Sequence, residues 1–456
     1  MMLKKIFLLI SVSVITSCSD FLNVDLPKDQ LTKDLVFNDD NLARSAMAGV
    51  YRSLETGGFL FGGASGGGVY LGCYSDELVA YNTTSSEYQL YNMDVNARSS
   101  MVKNLWQTSF NQIYSINSII DGLENSAGVS AAVKKQLRGE ALFLRALLHL
   151  YLAGTYDRIP YVTSISYELN QSISSQPIDA VLSAARKDVE EALSLLPDNA
   201  ARGLRIRPTK AAAYALLARV ALYQKDWQNA VLYSSKIIAD PAYTLEPDVK
   251  TVFLKEGRSV IWAFEPPVAL GNTREAITYI LLGAPPSTIS LSPSLVAAFS
   301  TGDKRALAWI GTIRDSGNRP YYYAYKYKQN KPAGTPKECS VVLRAEEQYL
   351  IRAEAYAQLG EQAKALQDIN VIRQRAGIPL YTTLDKQLIL DEISKEKKLE
   401  FFTEYGLRFF DLKRTGRIQA VMVDAKPNWT SKFQNFPIPE SELLLNPKLG
   451  PQNEGF

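Results

Sequence analysis

The sequence predicts a mostly α-helical protein, with helical hairpins as its scaffold and long irregular, partly β insertions forming a ligand-facing side. Three observations predict this. Apolar residues return every three to four positions over three long stretches, the spacing of amphipathic helices. Two of those stretches share one pattern of small residues. The segments between the helical stretches are instead rich in Gly, Ser, Asn, Pro and Tyr.

The first helical stretch covers residues 106–123 and resumes over 133–151. The second, residues 209–238, opens after Pro208 and is rich in Ala and Leu. The third, residues 344–377, closes with Gly377 and Pro379, which are helix stop signals. Ala218, Ala221, Leu222, Asp226 and Ala230 stand at the same spacing as Ala353, Tyr356, Ala357, Glu361 and Ala365. In both, a small-residue helix meets a short polar break (Gln224-Lys225-Asp226; Leu359-Gly360-Glu361) and then a second helix. Small residues let antiparallel helices approach closely, as in tetratricopeptide hairpins. The two copies lie too far apart for a regular tandem array, so scattered hairpins with insertions between them are expected.

The insertions fall at about residues 56–100 and 240–340. The first contains Gly57-Gly58, Gly62-Gly63 and Gly66-Gly67-Gly68; the second contains short β-like pieces such as residues 259–264. Irregular segments this long inside a compact protein are usually functional or disordered, and their aromatic content argues for order.

Bulk properties exclude some classes. The 456 residues are 46% hydrophobic and 21% charged, an ordinary globular composition. The formal charge is +3, with Lys4 and Lys5 at the extreme N-terminus, and no clustered basic footprint suggests nucleic acid. Runs such as Lys395-Glu396-Lys397-Lys398 mix signs as solvated helix faces do. The one histidine, His149, lies in a leucine-rich helical segment and is expected to be packed. Triads and multi-histidine metal sites need more imidazoles than that. No EF-hand spacing is present, and neither cofactor nor metal is expected. Tyrosine is abundant, 25 against 17 Phe and 5 Trp, and offers an apolar ring with a polar tip.

The N-terminus reads as an address. Lys4-Lys5, an apolar run from Ile6 to Ile15, and Thr16-Ser17-Cys18 form a secretory signal over residues 1–17. The run is shorter than the about 20 residues that span a bilayer. A Cys at the cleavage point resembles a lipoprotein signal, with Cys18 lipidated as the first mature residue, although Ile15 replaces the usual Leu. The mature body is then 18–456. Its Cys73 and Cys339 either pair or remain two buried thiols.

Local motifs resemble the SusD/RagB family along most of the chain. Cys18-Ser19-Asp20-Phe21-Leu22 with Asp25 and Pro27 is similar to its mature start, and Trp106, Ile113 and Asn117 to its early helix. Leu343-Arg344-Ala345-Glu346 and Ile351-Arg352-Ala353-Glu354-Ala355 resemble its RYAE and AEA elements, with Ala345 where Tyr is usual. Asn370-Val371-Ile372-Arg373-Gln374-Arg375-Ala376-Gly377 resembles NxxRxRAG. Glu404, Gly406, Arg408 and Phe409-Phe410-Asp411-Leu412-Lys413-Arg414 follow, with Lys397-Lys398 where the family often has Arg-Arg. Pro437-Ile438-Pro439, Asn446-Pro447 and Gly455-Phe456 close the match. None of these motifs is catalytic. Arg344, Glu346, Glu354, Arg373, Arg408 and Asp411 are expected to tie helices through ion pairs, since buried charges need partners.

The resemblance implies a non-enzymatic lipoprotein, anchored at the cell surface of the outer membrane through Cys18. It captures oligosaccharide for a SusC-like TonB-dependent transporter and acts as its lid. The RagB branch, which handles peptides, is the alternative, followed by a glycan-acting hydrolase that would need only two suitably spaced carboxylates. Sugar rings stack on aromatic faces, while amides and carboxylates take the hydroxyls. Two regions supply that mixture: Tyr70, Tyr74, Asp76, Glu77, Tyr81 and Asn82 in the Gly-rich segment, and Asn272, Arg274, Tyr279, Trp309 and Tyr321-Tyr322-Tyr323 in the second insertion. The flanks of Trp309 suggest core. Strand alternation places Tyr321, Tyr323, Tyr325 and Tyr327 together and leaves Tyr322 as the outward ring.

Overall fold

The computed structural model describes residues 36–199, 204–266, 271–332 and 334–456; Cys18 and the signal lie outside them. Helix α1 (Asp40–Thr56) begins where Asp39 accepts the Asn41 and Leu42 amides, two of the donors that a helix start leaves unpaired. The first insertion holds α2 (Gly67–Tyr74), β1 (Leu78–Ala80) and α3 (Ser86–Tyr91). Then come α4 (Ser100–Asn125), α5 (Ala131–Tyr156), α6 (Tyr167–Asn170), α7 (Ile178–Leu195), α8 (Lys210–Tyr223) and α9 (Trp227–Ile238). The second insertion holds β2 (Val260–Phe264), α10 (Arg274–Tyr279), β3 (Ile289–Leu291), α11 (Pro293–Ala297) and α12 (Lys304–Trp309). It continues through β4 (Ile310–Arg314), β5 (Pro320–Ala324) and β6 (Ser340–Arg344). The C-terminal part adds α13 (Ala345–Gln358), α14 (Gln362–Ala376), α15 (Lys386–Phe401), α16 (Leu407–Arg414), α17 (Ile418–Ala425) and α18 (Glu440–Leu445).

The protein is mostly α, with a tetratricopeptide-like scaffold, and its hairpins are less scattered than their sequence positions suggest. Helices α4, α5, α7, α8, α9, α13 and α14 pack each on the next, and α15 lies against both α13 and α14. The two matching hairpins, α8–α9 and α13–α14, therefore stack directly. Ala218, Ala221 and Ala230 meet Ile351 and Ala355. Ala353, Ala357 and Ala365 meet Ile369, Ile389 and Ile393 one layer further on. Equivalent breaks turn both hairpins: Lys225 and Gly360 each adopt a left-handed backbone, and Asp226 then caps α9 through the Asn229 amide.

The second insertion can leave this stack because its base is clasped. Strand β2 pairs antiparallel with β6, and β6 runs straight into α13. The chain that departs after α9 thus returns beside it, and α13 takes the next place in the stack.

In the first insertion the glycines serve close packing rather than a loose loop. Residues 67–74 are all buried in α2. A Cβ on Gly68 would lie 2.8 Å from the Thr403 carbonyl oxygen. The turn that crosses there, residues 402–406, has left-handed backbone at Thr403, Tyr405 and Gly406. For non-glycine residues that conformation costs about 1–2 kcal/mol each, so something must hold the turn. Lys326 does so, donating from Nζ to the Glu400 and Phe402 carbonyls at 2.7 and 2.9 Å and pairing with Glu404.

Lys326 belongs to a charge network with almost no exposure. Arg305 bonds Asp303, Glu396 and Glu400, all with 0% side-chain exposure. Arg344 bonds Glu400 at 2.6 Å and Glu404 at 2.9 Å, and Arg375 bonds Glu346 and Glu400. Burial alone would raise the Glu400 carboxyl, but Arg375, Arg344 and Arg305 together hold it well below the usual range. Arg373 pairs with Glu396, and Arg414 and Lys397 share Glu354 and Asp411. The ion-paired role expected for Arg344, Glu346, Glu354, Arg373, Arg408 and Asp411 is what the structure contains.

Two measurements test this account. Replacing Glu400 with Gln leaves three buried guanidiniums short of charge, and urea unfolding is expected to show a loss of about 3–5 kcal/mol. Gly406→Ala adds a strained left-handed alanine whose Cβ would lie 2.4 Å from Leu71. Its expected loss, by the same assay, is about 2 kcal/mol or more.

Candidate functional site

Strand pairing brings the two insertions together at one surface. Strand β1 pairs antiparallel with β3, with Ala80 opposite Ile289, and the next amide, Tyr81 N, donates to Thr288 O at 2.9 Å. The Tyr81 ring is thereby fixed beside the second insertion. Its hydroxyl lies 2.9 Å from Ser290 Oγ, and its ring meets Tyr321 edge-on at 6.0 Å and 72°.

Tyr321 is presented by the β4–β5 hairpin, in which Ile313, Thr312 and Gly311 oppose Tyr321, Tyr322 and Tyr323. Asp315 closes the hairpin turn by accepting the Gly317 and Arg319 amides, and it also accepts the Tyr321 hydroxyl at 3.3 Å. The Tyr323 ring lies across Gly311, where a side chain on the opposing strand would collide with it. Tyr321 is buried and Tyr323 half-buried on one strand face, whereas Tyr322, expected as the outward ring, takes the opposite face and packs its half-buried ring against the main core. Beside β1, helix α3 adds half-buried Tyr88 and Tyr91, with ring centroids 6.3 Å apart. The buried Lys426 sits 3.9 Å from the Tyr91 ring centroid and donates to Cys73 O at 2.7 Å. Burial pushes its ammonium down to about 7. Asn82 is exposed at the edge, accepting the Thr84 amide and hydroxyl in a turn that leads into the Ser85 cap of α3. The surface as a whole is a set of held phenol rings bordered by an amide and hydroxyls, suited to stacking and hydrogen bonding.

Several residues expected at a ligand surface lie elsewhere. Tyr70 and Tyr74 are on the buried α2 rather than on a loop. Tyr74 has no exposed area and meets Phe409 and Phe436 edge-on. Asp76 is buried between Arg408, at 2.9 and 3.1 Å, and Lys398, at 2.8 Å. Burial raises its carboxyl, but those cations outweigh burial and hold it well below the carboxylate range. Tyr279 is buried with its hydroxyl 3.5 Å from Thr403 O, and burial raises it. Asn272 is buried with an unpartnered carbonyl oxygen, and half-buried Arg274 lines a small recess with Glu55 and Glu265. Trp309 is core, donating Nε1 to Val249 O at 2.8 Å. In this conformation Tyr70, Tyr74, Asp76, Asn272, Tyr279 and Trp309 have no face free for a ligand. Two of them fasten an insertion to the scaffold, Asp76 through Arg408 and Lys398 and Tyr279 against Thr403, and the others are packed inside the fold.

His149 is likewise committed. Nδ1 donates to Arg145 O at 2.8 Å, Nε2 accepts the Val162 amide at 3.0 Å, and burial pushes the ring down to about 4. Cys73 and Cys339 are separate buried thiols, both pushed up to about 12 by burial. Among the described residues no cluster of His, Cys, Asp and Glu is arranged to hold a metal, and no helix is long and apolar enough to cross a membrane.

Comparison with known proteins decides the family. A model described as "Starch-binding associating with outer membrane" matches residues 20–222, and one described as "SusD family" matches residues 311–456. The chain belongs to the SusD/RagB family. It is 23% identical to SusD-like protein P25 of Formosa agariphila over 95% of both chains. It is 24% identical to SusD-like protein P2 of the same organism over 99% of both. Among solved structures, a SusD superfamily protein from Bacteroides vulgatus matches with a TM-score of 0.79 at 23% identity, over 92% of this chain and all of the other. A laminarin-binding SusD-like protein matches with a TM-score of 0.75 at 22% identity, also over 92% of this chain and all of the other. Surface glycan-binding protein A of Bacteroides thetaiotaomicron, in complex with laminarihexaose, matches with a TM-score of 0.75 at 19% identity, over 91% and 99%. At these identities the solved structures establish a shared SusD fold.

Within that fold, the surface includes two tyrosines that sequence reasoning passed over, Tyr88 and Tyr91. For both a signal existed. Ser85 is a helix cap, and the three-residue spacing of Tyr88 and Tyr91 puts both on one helix face. Glu77 behaves unlike its neighbour Asp76. Burial and the Asp76 charge push it up to about 8, against opposing pulls from Arg408, Lys326 and the Thr403 backbone. A folded value raised above the ordinary 4.5 means that the native state holds a proton that the unfolded chain releases. Stability therefore falls as pH rises from 4.5 towards 8. Glu77→Gln is expected to raise the urea midpoint at pH 7, and the gain should vanish below pH 4.5.

Proposed function

We propose that this protein is a non-enzymatic capture lipoprotein of the outer-membrane surface. It holds oligosaccharide on the tyrosine face and acts as the lid of a SusC-like TonB-dependent transporter, tethered through lipidated Cys18. The observation that carries the reading is the meeting of Tyr81 and Tyr321, 6.0 Å apart, from two insertions far apart in sequence. Rings held before the ligand arrives lose little freedom on binding, which favours affinity. Phenol faces stack on the C–H face of a sugar, and the Tyr81 hydroxyl and the exposed Asn82 amide are placed to meet its hydroxyl groups. Two structures of the same fold support a glycan as the ligand class: one is described as laminarin-binding and one holds laminarihexaose. A face of phenols, an amide and hydroxyls binds rather than cleaves.

Calorimetric titration tests it, with laminarihexaose and a panel of neutral oligosaccharides added to the chain that begins after Cys18. Saturable binding to one glycan class is expected, weakened roughly three- to tenfold by Tyr81→Ala or Tyr323→Ala. Tyr74→Phe, which alters only a buried hydroxyl, should leave affinity unchanged. Binding of peptide pools without any glycan signal would replace this reading with RagB-like peptide capture. Copurification of the lipidated protein with a TonB-dependent barrel tests the transfer step.

A further inference from the structure

The scaffold contains a second cavity that shares no residue with the tyrosine face. It measures about 470 Å³ and lies where the α8–α9 turn meets α13, α15 and α16. That volume is within the about 300–1,000 Å³ typical of small-molecule sites. We infer that this cavity is a separate binding pocket for a neutral saccharide unit, a function beyond capture on the tyrosine face.

The lining divides by chemistry. Trp227, at the start of α9, forms an apolar wall with Leu222 and Leu390. Of the 5 tryptophans, Trp106, Trp262, Trp309 and Trp429 are buried in the core, and Trp227 is the half-buried one. The polar wall includes Gln358, Gln387, Ser394 and Thr415. An indole opposite amides and hydroxyls is the pairing that a pyranose ring requires: C–H face on the ring, hydroxyls on the polar groups.

Charge selects among ligands. Glu354 and Asp411 line the cavity but are already neutralised. Arg414 grips Glu354 through two bonds, at 2.7 and 2.6 Å, and also pairs with Asp411, while Lys397 bonds both acids. Arg417 pairs with Asp391. Among the described residues, Lys225 is the one cation of the lining without an ion pair, and it is exposed. A peptide carboxylate needs free, convergent cations, and Lys225 alone does not supply them. A neutral polyol needs none. It can use the amides, the Ser394 hydroxyl and the remaining lone pairs of the paired carboxylates, as buried ion pairs accept further hydrogen bonds.

Fluorine NMR of the protein labelled with 5-fluorotryptophan tests the assignment, with Trp227→Phe identifying the Trp227 signal. Laminaribiose, cellobiose and maltose are the probes. At least one should shift the Trp227 signal saturably. Gln358→Ala, at a half-exposed helix position, should weaken that binding roughly three- to tenfold. Tyr81→Ala should leave it unchanged, which separates this pocket from the tyrosine face. The inference is overturned if no disaccharide moves the signal or if Gln358→Ala leaves the binding intact. It is equally overturned if only a peptide with a free C-terminal carboxylate produces the shift.

Discussion

The structure depends on the buried carboxylate of Glu400. Three guanidiniums converge on it, and they come from different parts of the chain: Arg305 from the second insertion, Arg344 from the strand that closes it, and Arg375 from the scaffold. No one of these contacts is a local helix pair. Each fixes an element that the chain could otherwise place elsewhere, because a buried charge tolerates only geometries that keep it paired. The same helix, α15, carries Glu396, Lys397 and Lys398, which reach Arg373, Asp411 and Asp76. One helix thus ties both insertions to the hairpin stack through charge.

That arrangement explains why residues with the composition of a binding site turn out to be fasteners. Asp76 looks like a hydroxyl acceptor in sequence, yet Arg408 and Lys398 occupy it, and Lys398 stands where the family often has Arg. An ammonium is a compact donor that meets one carboxylate oxygen without the planar fork of a guanidinium. Lys397 and Lys398 accordingly serve two different sites, the first bonding Glu354 and Asp411 and the second Asp76. The tyrosines divide in a similar way. Tyr74, Tyr279 and Tyr405 fill the space around α2 and the strained turn, whereas Tyr81, Tyr88, Tyr91 and Tyr323 are only half-buried. Pinned between fixed insertions, these rings are held in place rather than carried on a mobile loop.

Much of the scaffold was legible beforehand. Helical periodicity located α4, α5, α8, α9, α13 and α14, and the shared alanine spacing identified α8–α9 and α13–α14 as equivalent hairpins. Charge composition inside motifs such as that around Arg344 and Glu346 pointed to ion pairs, since apolar neighbours imply burial. The Gly-rich run at residues 66–68 misled, because glycine marks close backbone approach as well as flexibility. Sequence cannot distinguish the two without knowing that the turn at Thr403 crosses there.

The sequence by itself therefore determined the helix class and the hairpin repeat, which follow from local spacing; its motifs carried the resemblance to the family, and its composition the abundance of tyrosine in the insertions. Only the tertiary structure decided which tyrosines form the face. That choice rests on β1 meeting β3 and on the hairpin of β4 and β5 lying beside them, contacts between segments more than two hundred residues apart. Periodicity reports the face of an element that is buried. What buries it is settled by long-range pairing, which local spacing does not encode.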